Sequence, residues 1–257
     1  MTTSVSIGTA WSEAAAFVRR EKTLLAPLVL ALMVVPATVS QLLQPSNPFA
    51  GSNEVEPWMA IAVVALVLGL VGQMAVSRLA MGWTGSLGEV LTLALKRLPI
   101  AIAALVLFFL CIALLLIPSI VVLTLLGGAA ALANLLTLLA VFGAVPRILL
   151  VPAIAMDQRV GPWGLVKSTW RATKGQYWRL LGFFLLFLAA SLIFAVAASS
   201  VVGTLATLAL GPAEPMSVSR LLVALAGGLV QGGVATVYAA MIGRIVAQLP
   251  DRSISGT

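Results

Sequence analysis

From Leu98 to Met156 the chain runs for nearly sixty residues with one charged side chain, Arg147. Only hydrocarbon accommodates a run of that kind, because a soluble fold of the same length is interrupted every few residues by positions that face water. The rest of the chain has the same character: of 257 residues 61% are apolar and 9% charged, with a mean hydropathy of +1.13. Soluble, disordered and collagen-like folds are thereby excluded. The chain reads as an all-α membrane protein.

A hydrocarbon layer about 30 Å thick needs about twenty apolar residues in helix. Six stretches meet that test, near Leu24 to Leu43, Trp58 to Ser77, Pro99 to Leu125, Ala129 to Ala155, Tyr177 to Leu208 and Leu221 to Gly243. Gly127-Gly128 predicts a tight turn between the third and fourth spans, and Pro118 a kink in the third. Arg19-Arg20 ahead of the first span hints at a cleavable signal, but no small-x-small cleavage site follows and five further spans do, so it is read as a span.

The basic residues assign the sides. Arg19, Arg20, Lys22, Arg78, Lys96, Arg97, Arg159, Lys167, Arg171, Lys174, Arg179, Arg244 and Arg252 fall in one alternating set of connections. The opposite set holds Arg220 with Glu54, Glu56 and Glu214. Because cytoplasmic connections retain the cations, both termini are expected in the cytoplasm. The net charge of +7 then serves orientation and attraction to anionic headgroups, and no nucleic-acid partner is expected.

Segments of one kind precede the first, third and fifth spans at a period of 76 residues. Trp11, Leu87 and Trp163 align, as do Glu13, Glu89 and Leu165, then Ala14, Val90 and Val166, then Val18, Ala94 and Trp170. Each carries apolar residues at helical spacing and ends in basic ones, as expected of a short helix in the cytoplasmic interface. The chain is thus expected to be a single membrane domain of three tandem units, about 8–80, 84–156 and 160–246, with a tail at 247–257. Each unit is an interfacial helix followed by a helical hairpin. Small residues recur every fourth position in the return spans, at Ala65, Gly69, Gln73 and Ser77 and at Ala224, Gly228, Gly232 and Thr236. Close helix packing explains such stripes, and a substrate path is the alternative.

Much chemistry is excluded by composition. There is no histidine and one cysteine, Cys111, so imidazole–thiolate metal sites, a Ser-His-Asp or Cys-His nucleophile and an internal disulfide are all unavailable to the chain. HExxH, P-loop and GxSxG motifs are lacking, and Gly82, Gly85 and Gly88 read as a hinge. Asp157 and Glu89 share the cytoplasmic side, where pairing with Arg159 or Lys96 accounts for them. No catalytic residue, cofactor or metal is expected.

The polar residues within the apolar layer are Gln73, Asn134, Arg147 and Gln231, each costly to bury unpaired. Arg147 lies ten residues before Asp157, about 15 Å from the cytoplasmic edge at about 1.5 Å per residue. That places it near the midplane, where Pro146 and Pro152 free carbonyls for it and it snorkels inward or bonds Asn134 or the glutamines across helices. Binding of an anionic headgroup is its other possible role. No carboxylate accompanies it in the layer, which argues against proton-coupled transport.

Residues 159–181, RVGPWGLVKSTWRATKGQYWRLL, hold a skeleton of Gly161, Ser168, Trp170, Lys174-Gly175 and Trp178-Arg179. This segment, with the run from Arg147 to Asp157, resembles the six-span membrane domain fused to some bacterial glycerophosphodiester phosphodiesterases and found alone in YciC-like inner-membrane proteins. The resemblance implies the membrane half in the bacterial inner membrane, without the catalytic barrel. Physically, Gly161-Pro162 predicts a turn, and Trp163 to Lys174 a helix ended by Gly175 with Lys167, Arg171 and Lys174 on its wet side. Trp163, Trp170, Tyr177 and Trp178 are expected at headgroup depth. Such a segment is a topology anchor or a platform for anionic lipid or a protein partner. The expectation is a non-enzymatic scaffold or regulatory protein acting at the lipid surface. The alternative is a transporter or lipid-handling protein with a cavity near Arg147, Gln73 and Gln231.

Overall fold

In hydrocarbon each backbone N–H and C=O must be satisfied within the protein, and a continuous helix does this locally for every residue. The computed structural model describes residues 6–45, 56–125, 130–211 and 217–249, and these are helical throughout, without a strand. Six helical stretches, Lys22–Leu43, Pro57–Ala80, Leu87–Pro118, Asn134–Asp157, Tyr177–Leu210 and Val218–Ala247, are long and apolar enough to cross a membrane. The turn expected at Gly127-Gly128 lies outside the described residues.

The first helix, α1 (Ile7–Arg20), is capped by Ser6, whose Oγ accepts the Thr9 N–H at 3.3 Å. The first span follows as α2 (Lys22–Val29), a π-helical turn at Leu30–Val34, and α3 (Val35–Leu43). Helices α4 (Pro57–Ala80), α5 (Leu87–Leu125), α6 (Ala130–Asp157), α7 (Pro162–Thr173), α8 (Tyr177–Leu210) and α9 (Val218–Ala247) complete the chain. A left-handed glycine marks three junctions: Gly82 (φ +94°) follows α4, Gly175 (φ +82°) separates α7 from α8, and Gly211 (φ +87°) ends α8. A Cβ is disfavoured in that conformation, so the chain reverses where glycine occurs.

The middle amphipathic segment departs from expectation. It forms the first three turns of α5, a helix of 39 residues that passes through Pro99 and Pro118. At about 1.5 Å per residue α5 is about 58 Å long, nearly twice the hydrocarbon thickness. The reason is local: Glu21 interrupts the helix after α1 and Gly175 after α7, whereas residues 89–98 contain neither glycine nor a capping turn. The 76-residue alignment also slips within the third segment. Ala14 and Val90 are buried, but in α7 the buried residue at this point is Leu165, one place before the aligned Val166, which is only half-buried.

Helix α9 approaches its neighbours closely. A Cβ on Gly243 would stand 2.5 Å from the Ser77 carbonyl oxygen of α4, and one on Gly228 would stand 2.9 Å from the Val34 carbonyl oxygen. Ala224, Gly228, Gly232 and Thr236 are buried, so this stripe lets α9 seat against the first span, as packing predicts. One end of the bundle gathers polar pairs. Arg78 faces Asp157 at 3.4 Å, Arg244 faces Glu13 at 3.8 Å, and the Arg97 guanidinium donates to the Gln158 carbonyl at 3.3 Å. Asp157 thus pairs with Arg78 from α4. At the opposite end the Arg220 guanidinium donates to the Gln44 carbonyl.

Candidate functional site

Pro146 has no N–H, so the carbonyl four residues earlier, on Phe142, is left without its helical donor. The Tyr177 hydroxyl donates to that oxygen at 2.7 Å, which fixes the start of α8 against the middle of α6. Helix α7 consequently folds back along α6 toward its N-terminus. It buries Leu165, Thr169 and Thr173 against α5 and α6. The two threonines add no unsatisfied hydroxyl, since Thr169 Oγ1 donates to the Val166 carbonyl at 2.8 Å and Thr173 Oγ1 to the Thr169 carbonyl at 3.1 Å.

Arg147, one residue beyond Pro146, meets the two aromatic rings brought in by this fold-back. Its guanidinium carbon lies 3.8 Å from the centroid of Trp170 and 5.2 Å from that of Tyr177, and one N–H donates to the Gly143 carbonyl. Its Nε is buried without a hydrogen-bond partner. A partly exposed guanidinium over an indole gains about 1 kcal/mol. These contacts correct the pairing expected for Arg147. Asn134 lies thirteen residues away in the same helix, about 20 Å along it, and is exposed. Gln73 and Gln231 lie elsewhere, and the carbonyl that proline frees goes to Tyr177. Nor can Arg147 sit at the midplane while Trp170 and Tyr177 sit at headgroup depth, because the three are in contact.

Opposite its buried face, α7 presents Trp163, Lys167, Trp170, Arg171 and Lys174, all exposed, with Trp163 at 65% and Trp170 at 57%. Trp178 and Arg179 at the head of α8 are exposed beside them, and the Trp178 ring meets that of Tyr177 edge-on at 5.4 Å. Cations and amphipathic rings thus share one surface, backed by Arg147. Such a surface recognises an anion that carries apolar matter with it. Lys167, Arg171 and Lys174 are thus all exposed, away from the buried residues of α7.

Gln73 and Gln231 come together in a separate place, a cavity of about 840 Å³ bounded by the first span, α4 and α9. Gln41 and Gln44 also line it, and Gln41 Nε2 donates to Gln231 Oε1 at 3.2 Å. The α4 stripe contributes Ala65, Gly69 and Gln73 to its wall, so this stripe borders open space while the α9 stripe packs. Arg147 does not line this cavity, and the expected grouping of the three residues is corrected to Gln73 with Gln231. Gln41 and Gln44 were legible in part, since their i, i+3 spacing at the end of an apolar run puts two carboxamides on one face. No family model, curated protein or solved structure matches the chain.

Proposed function

We propose that the protein is a non-enzymatic multi-pass protein of the bacterial inner membrane that engages anionic lipid headgroups through the outer face of α7. The observation carrying this reading is the exposed set of Lys167, Arg171 and Lys174, flanked by Trp163 and Trp170 and opposite a fully packed face. Contact with Trp170 and Tyr177 favours headgroup depth for Arg147 as well, since a guanidinium there retains phosphate or water that the midplane denies it. Both termini lie in the cytoplasm in this reading, following the thirteen cations on that side. The three units are tandem copies, the middle one having its interfacial helix fused to its span. The resemblance to the membrane half of phosphodiesterase fusions is in keeping with a domain that holds and senses the lipid surface for a partner.

The test is lipid retention by the full chain in detergent, read by native mass spectrometry with phosphatidylglycerol against phosphatidylcholine. Each surface cation is worth about 1 kcal/mol toward an anionic membrane. Replacing Lys167, Arg171 and Lys174 together by Gln is expected to weaken phosphatidylglycerol retention about a hundredfold at low salt and to leave phosphatidylcholine unchanged. Equal phosphatidylglycerol retention by the variant and the parent would refute the reading.

A further inference from the structure

The cavity among the first span, α4 and α9 has no part in headgroup binding at α7, and its chemistry is different. Its polar lining among the described residues is Ser40, Gln41, Gln44, Gln73 and Gln231, without a lysine, arginine, aspartate or glutamate among them. Arg220 does not line it and donates to the Gln44 carbonyl. A charged ligand entering here would lose its hydration without gaining a counter-ion, so the site selects against charge. Carboxamides offer two donors and a carbonyl acceptor each, which suits hydroxyl groups that donate and accept at once. The Gln41–Gln231 bond takes up one donor and one acceptor, and among the described residues the Gln73 carboxamide has no protein partner.

Apart from Gln73 the α4 wall is apolar, with Ala62, Ala65 and Leu66 in the lining, Leu66 being 70% exposed beside the outward-facing Val63 and Val64. A ligand with hydrocarbon chains can leave them there, in the bilayer. Met33, from the π-helical turn at Leu30–Val34, forms part of the floor. Turns of that type are rare and concentrate at functional sites. The volume lies within the range of small-molecule pockets.

We propose that this cavity binds an uncharged, hydroxyl-bearing ligand, its hydroxyls held by Gln73, Gln231, Gln41 and Gln44. Such chemistry is found on a neutral glycolipid or on a free sugar, and the two are separable by experiment. The full chain in phosphatidylcholine nanodiscs is titrated with monoglucosyl dioleoylglycerol, with dioleoyl phosphatidic acid and with glucose. The glycolipid or the free sugar is expected to bind at least tenfold more tightly than phosphatidic acid. Competition by glucose at equal concentration assigns the ligand to the aqueous side, and glycolipid binding without such competition assigns it to the bilayer. Gln73→Leu with Gln231→Leu is expected to weaken binding at least tenfold. Gly69→Phe serves as a second variant, because a Cβ at Gly69 meets nothing within 4 Å and the ring would fill the cavity. Replacing Lys167, Arg171 and Lys174 by Gln should leave this binding unchanged, which keeps the result separate from the α7 reading. Phosphatidic acid binding as tightly as the glycolipid and the sugar, or affinities unaltered by both cavity variants, would overturn the proposal.

Discussion

Arg147 shows how a single cation is held in an apolar chain that gives it no carboxylate. Pro146 frees the Phe142 carbonyl, Tyr177 takes it, and the ring so placed joins Trp170 around the guanidinium. Tyr177→Phe removes the donor and leaves that carbonyl unpaired, which is expected to cost about 1 kcal/mol. Trp170→Leu removes the stacked face and is expected to cost about 1 kcal/mol. Because both act on Arg147, the double variant should lose less than the sum of the two. Thermal unfolding of the three variants in detergent checks this, and strict additivity would contradict a shared cluster. The residue itself was legible as an isolated charge between prolines. Its partners were not, because they come from α7 and α8, and nothing in the local sequence says that these helices fold back along α6.

At the level of helices, the apolar runs located five of the six long helices to within a few residues and began the third twelve residues late, at Pro99 instead of Leu87, because continuity depended on weaker signals. Gly175 and Glu21 end their helices as a left-handed glycine and a non-helical cap do, and the absence of either in residues 89–98 lets α5 run unbroken. Stripes of small residues were visible in both return spans, but spacing alone could not say which would pack and which would border a cavity. The structure separates them, and substitution should as well. Gly228→Val pushes a branched side chain toward Thr38 and the Val34 carbonyl oxygen, and is expected to destabilise by about 1–3 kcal/mol, as overpacking does. Gly69→Leu, in open space on α4, should hold or raise the unfolding midpoint, since glycine is a poor helix former. Equal losses for the two would mean that both stripes are packed.

For the molecule as a whole, the decisive arrangement is the sorting of charge between its two ends. Arg78 with Asp157, Arg97 with the Gln158 carbonyl and Arg244 with Glu13 lie at one end, and Arg220 with the Gln44 carbonyl at the other. The alternation of basic and non-basic connections was readable in the sequence because cations are excluded from hydrocarbon wherever they fall. Which of them would pair was not, since pairing depends on the rotation of each helix about its axis. The headgroup reading requires the basic end, and α7 with it, to face the cytoplasm. Cysteine labelling tests this most directly, in a Cys111→Ala background with a single cysteine in place of Ser12, Pro57 or Lys167, all exposed. On intact spheroplasts a membrane-impermeant maleimide is expected to modify Pro57→Cys and to spare Ser12→Cys and Lys167→Cys until the membrane is opened. Modification of Lys167→Cys on sealed spheroplasts would place α7 on the outer face and contradict the account.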